Sequence, residues 1–343
     1  MKEALYLKYR PENFDDVIGQ DHVVGVLKNA LKEGTVAHAY LLTGSRGIGK
    51  TTIARIIARA LGTTEKDIYE IDAASNRGID DIRELREGVR TMPFESKYKV
   101  YIIDEVHMLT KEAWNALLKT LEEPPAHVIF IMATTEKEKV PDTVISRCQS
   151  FELKRPSAAD LALVLKSIAK KEKFSIESDA LELLAFLADG SFRDAQGLLQ
   201  KVATLSPDKT ITREEVEAST GASTRKVLHA FFDAFFAGDI ALTLSVLESV
   251  RESATDMRQF YKMLLERFRV ALFFSHAPDL AKKVAETYGE DATYFKSFAE
   301  AKNPRLRSAT LLRFLRAEEE SSTASIKTLP LEVAVIEILG EAS

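Results

Sequence analysis

The stretch AYLLTGSRGIGKTTIARIIARAL, Ala39 to Leu61, runs from an apolar strand-like segment through a glycine-rich turn into a helix. Within it GSRGIGKT, Gly44 to Thr51, has the Gly-x4-Gly-Lys-Thr spacing of a phosphate-binding loop, in the strand-loop-helix context that separates such a loop from a chance match. Glycines let backbone N–H groups curl round phosphate oxygens, and the start of the following helix adds its partial positive charge. Gly44, Ser45, Gly47, Ile48, Gly49, Lys50, Thr51 and Thr52 are therefore candidate nucleotide-binding residues. Lys50 is suited to the β and γ phosphates and Thr51 to a Mg²⁺ ion.

Outward from this stretch, Tyr40 to Phe151 alternates strands with helices: AYLLTG, a helix from Lys50 to Leu61, IYEID, a helix from about Asp80, KVYIID, a helix around Trp114, and VIFIMATT. Apolar runs bounded by helices predict a parallel sheet covered on both faces. KVYIIDEVHML brings Asp104 and Glu105 to the carboxyl end of its strand, where open α/β sheets hold ligands. Adjacent acids after a strand are ordinarily a solvated loop. Beside a phosphate loop, Asp104 becomes a metal ligand and Glu105 a group that orients or deprotonates the attacking water. Thr134 and Thr135 end the next strand, where their hydroxyls serve either a γ phosphate or an ordinary turn.

Two arginines carry alternatives of their own. Arg193, in GSFRDA, begins a helix and either folds back onto the nucleotide or lies on the surface near a cap. Arg147, in TVISRCQSFEL, follows the fourth strand-like segment on a flank of the sheet, where its own loop is awkward to reach and a neighbour's nucleotide is not. An arginine supplied in trans contributes about 10³ to 10⁵ in rate. Its neighbour Cys148, the only cysteine, reads as a small packed side chain, because no base or orienting partner is evident. In IDAASNRGIDDIREL, Arg77 precedes a helix whose amides suit a template-DNA phosphate, although Asp80 and Asp81 there equally serve as caps.

From Ser157 the pattern turns to helices only, with no β-branched run between them; Thr212 and Glu215 then restart the chain before long phenylalanine-rich helices. The expected domains are 1–156, an α/β nucleotide-binding domain; 157–220, a small helical lid; and 221–343, an all-helical domain. FFDAFF and FYKMLLERF supply more phenylalanine than a small helical core needs, so some of these rings are expected to face other subunits. The 47 basic and 52 acidic residues give a net charge of -5, which excludes a global field drawing the chain to DNA or to an anionic membrane. Nucleic acid is then met through local patches. With one cysteine, no apolar h-region at the start and no stretch of membrane-spanning length, the expected setting is the cytoplasm.

Taken together, GSRGIGKTTIARIIARAL, DEVHMLTKEAWNALLKTLEEPP, ISRC, GSFRDA and the opening YRPENFDDVIGQDHV resemble the gamma/tau ATPase family of bacterial DNA polymerase III clamp loaders. The resemblance implies an α/β P-loop AAA+ ATPase domain, a helical lid and an all-α oligomerisation collar ending in LPLEVAVIEIL. It implies ATP and Mg²⁺ as cofactors, and other clamp-loader subunits, a sliding clamp and primed-template DNA as partners. In the family's pattern Lys50 and Thr51 are Walker A, Asp104 and Glu105 Walker B, Thr135 sensor one, Arg193 sensor two, and Arg147 the finger on the adjacent subunit's ATP. Tyr9, Arg10, Pro11, Val17 and Ile18 match the segment lining the adenine pocket. One departure stands out: the family's four-cysteine zinc module gives way to GTTEKD, Gly62 to Asp67, and a single cysteine predicts no zinc site. Longer tau forms continue past the point where this sequence stops. A branch-migration motor shares the loop and finger but is expected to carry a winged helix after the lid. A stator-like scaffold is expected to have lost a working phosphate loop.

Overall fold

In the computed structural model, which describes residues 3–76, 78–206, 208–220, 225–252, 256–277, 279–281 and 290–340, the strand Ala39–Thr43 (β1) is buried over its whole length. Ala39 and Leu41 enter one core and Tyr40 and Leu42 the other, the two-residue period expected of a strand packed on both faces. Ile68–Asp72 (β2), Lys99–Asp104 (β3), Val128–Thr134 (β4) and Gln149–Glu152 (β5) join it in a parallel sheet of order β2-β3-β4-β1-β5. The edge strands β2 and β5 are only half-buried.

The helices of this unit are Leu5–Lys8 (α1), Asp21–Glu33 (α2), Lys50–Ala60 (α3), Ile79–Val89 (α4), Lys111–Glu122 (α5), Asp142–Ile145 (α6) and Ala158–Lys171 (α7). On one face of the sheet α4 and α5 insert Ile82, Leu85, Trp114 and Leu117. On the other, α2 and α3 insert Val23, Leu27, Ile53 and Ile57. The caps are local: Thr110 Oγ1 accepts from the Ala113 amide, and Ser157 and Asp160 form a reciprocal capping box that starts α7.

Ahead of α2, the fully buried Gln20 side chain pairs with the backbone of Lys154 beyond β5, donating from Nε2 at 2.7 Å and accepting at 3.0 Å. His22 Nε2 lies 3.1 Å from the Glu152 carbonyl of the same edge. The segment ahead of and opening α2 thus completes the sheet margin.

Two further helices, Ser178–Leu187 (α8) and Phe192–Leu205 (α9), lie across the boundary between two compact units, Met1–Lys173 with Leu184–Gln200 and Phe174–Leu183 with Lys201–Ser343. The helices-only expectation after Ser157 needs one correction. Ser175–Ile176 (β6) and Thr210–Ile211 (β7) form a short parallel ladder in the second unit, too brief for any periodicity to announce it.

The second unit otherwise consists, among the described residues, of Arg213–Thr220 (α10), Arg225–Ala237 (α11), Ile240–Glu252 (α12), Met257–His276 (α13), Glu290–Glu300 (α14), Ser308–Ser321 (α15) and Leu329–Gly340 (α16). Its phenylalanines overturn the expectation that some face outward. Phe231, Phe232, Phe235, Phe236, Phe260 and Phe268 are all buried. They pack on one another and on Phe314 and Phe295 in edge-to-face and stacked pairs, so the surplus aromatic volume is this unit's own core. The apolar side chains left exposed include instead Leu312 and Leu315 on α15 and Leu329, Val333 and Ile336 on α16.

Candidate functional site

The site is built where β1, β3 and β4 end. After β1 the chain turns through Gly44, Gly47 and Gly49, all at positive φ. At Gly44 a Cβ would sit 2.6 Å from Ile48 Cδ1 and 2.8 Å from the Leu153 carbonyl, so only glycine fits there. Lys50, at the start of α3, is buried and donates to the carbonyls of Gly44 (2.8 Å) and Ser45 (2.9 Å). Burial lowers its pKa, while the Glu105 and Asp104 carboxylates act to raise it and Arg193 to lower it.

Asp104 ends β3 with both carboxylate oxygens engaged: Thr51 Oγ1 donates to Oδ2 at 2.7 Å and the Glu105 amide to Oδ1 at 2.9 Å. Two hard oxygens, Thr51 Oγ1 and Asp104 Oδ2, are therefore adjacent beside the loop, a donor set that suits Mg²⁺ completed by phosphate and water. Among the described residues no group of three or more His, Cys, Asp or Glu is arranged to hold a metal ion by itself.

Glu105 adopts a left-handed conformation (φ 46°), uncommon for a residue with a side chain. Its Oε2 accepts from Thr135 Oγ1 at 3.0 Å, joining the ends of β3 and β4. Thr134 is fully buried and makes a different bond, to His107 Nδ1 at 3.0 Å. Sequence reasoning passed over His107, which carries no motif signal of its own.

Arg193 reaches the loop through the first turn of α9: the Phe192 and Arg193 amides both donate to the Gly47 carbonyl, at 2.9 and 3.4 Å. A cavity of about 520 Å³ opens here, lined by Gly47, Ile48, Gly49, Lys50, Thr51, Thr52, Asp104, Glu105 and Arg193. Tyr9, Arg10, Pro11, Val17 and Ile18 line its other side. Burial depresses the pKa of Arg10, with Arg55 and Arg193 adding to the effect against the opposing pull of Glu70. The Tyr9 hydroxyl donates to Glu172 at 2.7 Å, a bond that raises the tyrosine's pKa and helps lower the glutamate's. Arg46 and the α7 residues Val164 and Ile168 also line the cavity. Their periodicity marks α7 as amphipathic, but nothing in it says which face meets a ligand.

Gly44 and Ser45 serve through the carbonyls that hold Lys50, and Thr135 through Glu105. Arg147 stands apart from the cavity lining, donating to Glu122 Oε1 at 2.7 Å and to the Thr143 carbonyl at 2.6 Å. Burial pushes the Cys148 thiol up to about 12, so it is protonated at neutral pH and is no nucleophile. Arg77 lies outside the described residues; beside it, Asp81 accepts from the Gly78 amide at 2.9 Å and caps α4. No described helix is long and apolar enough to cross a membrane.

Comparison with known proteins agrees with this geometry. Family models match in three parts: DNA polymerase III, delta subunit, at residues 19–77 and 64–157; the ATPase lid domain of the DNA polymerase III clamp loader subunit, at 161–204; and domain III of DNA polymerase III subunits gamma and tau, at 211–343. The Bacillus subtilis DNA polymerase III subunit tau is 39% identical over 314 residues, covering 84% of this chain and 56% of that protein. The Mycobacterium tuberculosis subunit gamma/tau is 35% identical over 363 residues, covering 98% of this chain and 62% of that protein. The chain thus spans about half the length of the curated relatives it matches. Among solved structures, the Thermotoga maritima RuvB Holliday junction branch migration motor superposes with a TM-score of 0.54 at 24% identity, over 69% of this chain and 85% of that one. That likeness is one of fold, the AAA+ ATPase architecture. With three successive matches running from residue 19 to residue 343, the chain belongs to the gamma/tau family of DNA polymerase III subunits.

Proposed function

We propose that this chain is an ATP-hydrolysing motor subunit of a bacterial replicative clamp loader, working in the cytoplasm to place a sliding clamp on primed-template DNA. The observation that carries the reading is the bonded line Thr51–Asp104 and Glu105–Thr135 beside the buried Lys50, with Arg193 on the same cavity. Tyr9, Arg10, Pro11, Val17 and Ile18 receive the adenine, and Gly44 to Thr52 the phosphates. Thr51 and Asp104 would hold Mg²⁺, which would supply positive charge against the bound phosphates. Glu105 orients the attacking water and takes its proton, Thr135 fixes that carboxylate, and Lys50 and Arg193 balance the charge developing on the transferred group.

Arg147 acts in trans, because in its own subunit it is paired with Glu122 away from the cavity. Segments 1–156, 157–220 and 221–343 act as motor, lid and collar, the collar joining subunits. A branch-migration motor is disfavoured because the described residues from 213 onward are helical. A nucleotide-free scaffold is disfavoured by the complete set of loop and carboxylate residues.

Mixed assemblies test the reading. Lys50→Ala and Arg147→Ala subunits, each inactive alone, are combined with clamp and primed DNA, where one pairing rebuilds a whole composite site. ATP turnover is expected to recover partly in the mixture. Verified mixed assemblies with no recovery sink the trans assignment, and turnover by Lys50→Ala alone sinks the ATPase reading itself.

A further inference from the structure

His107 is almost entirely buried, with its side chain 7% exposed, two residues after Glu105. Its Nε2 lies 3.1 Å from Glu136 Oε1, and its Nδ1 lies 3.0 Å from Thr134 Oγ1. The Glu136 amide in turn donates to Thr134 Oγ1 at 3.0 Å, and the Glu136 carboxylate is held on its other side by Lys139 at 2.7 Å.

Nε2 faces the Glu136 carboxylate and donates to it, while Thr134 Oγ1 bridges Nδ1 and the Glu136 amide. The result is a closed ring through Glu136, Thr134 and His107. Nδ1 also lies 3.5 Å from Glu105 Oε2, the oxygen that Thr135 Oγ1 holds at 3.0 Å. The Glu105 carboxylate is thus flanked by the imidazole on one side and by its donor Thr135 on the other.

We infer that His107 is a positioning residue for ATP hydrolysis: through the ring with Thr134 and Glu136 it fixes the end of β4 and confines the Glu105 carboxylate to its bond with Thr135. This rests on the reading of Glu105 as the water-orienting group. The imidazole is not among the residues lining the cavity; its effect passes through Thr134 and Glu105. Displacement of a reacting group by about 1 Å costs up to roughly a hundredfold in rate, so this restraint is worth measuring.

The test uses the full chain in its clamp-loader assembly with clamp and primed DNA, and measures kcat, KM, affinity for a fluorescent ATP analogue and thermal unfolding. His107→Ala is expected to lower kcat about tenfold or more, with KM, analogue affinity and unfolding midpoint unchanged. His107→Asn, which returns a polar group where Nδ1 stood, recovers part of the loss. Thr134→Val has the same effect as His107→Ala, and the double variant is no worse than either alone, because both act through one bond. A His107→Ala kcat within twofold of the parent, while Glu105→Gln is inactive, overturns the inference and leaves the reading of the site intact. Loss of kcat together with affinity and unfolding midpoint, with no recovery in His107→Asn, also overturns it and makes His107 a packing residue. An active Glu105→Gln overturns both.

Discussion

Replacing Asp67 by asparagine tests how the segment ahead of β2 is held to the loop ahead of β3. Asp67 is fully buried, and its carboxylate accepts from the amides of Phe94, Glu95 (3.0 Å) and Ser96 (2.8 Å). Burial alone would raise its pKa, but the hydrogen bonds from these residues outweigh it and bring the group from 3.8 down to about 2. That gap corresponds to about 2.4 kcal/mol of stability at pH 7. Because the folded-state value is depressed, the contribution is complete above pH 3.8, falls to about half near pH 3 and is lost as pH drops through about 2. Asparagine keeps the shape but turns an NH₂ toward amide donors, so a loss of about 2 to 3 kcal/mol is expected at neutral pH. Trp114, the only tryptophan, is on α5 and lies in the core, and its fluorescence reports urea unfolding of this unit. Parent and Asp67→Asn curves should be furthest apart at pH 7, about half as far apart near pH 3, and converge toward pH 2. A difference below about 0.5 kcal/mol at pH 7, or one that does not shrink on acidification, refutes the reasoning.

At Gly47 a Cβ would collide with Ser191 Oγ on a backbone at φ +75°, so Gly47→Ala combines about 1 to 2 kcal/mol of conformational strain with overpacking. It should weaken fluorescent ATP-analogue binding about tenfold or more; affinity within twofold of the parent contradicts it. Cys148, with its thiol at about 12, should react with iodoacetamide at pH 8 at least about a hundredfold more slowly in the folded chain than in urea. Rapid native alkylation would contradict the burial argument.

The loop from Gly44 to Thr51 and the acids at Asp104 and Glu105 were legible in the sequence because their chemistry depends on spacing along one strand-loop-helix unit. Sheet order was not. Pairing of β5 with β1 joins residues more than a hundred apart, and hydrophobic period says nothing about which strand lies beside which. For the same reason the His107 ring escaped notice, since it brings together the turns after two strands that only the fold makes neighbours. The phenylalanine count was read correctly and interpreted wrongly: composition gives aromatic volume, while its direction depends on how α11, α13 and α15 meet.

The Gln20 side chain has a consequence for how the sheet ends. A parallel sheet ends in a row of unsatisfied amides and carbonyls, which invites any passing strand, from another copy included, to add itself. Here one glutamine and one histidine, spaced two residues apart, take up the outward groups at Lys154 and Glu152 as a sixth strand would. The end of that margin at Glu152 and Lys154 is therefore closed to an incoming strand, from another copy included.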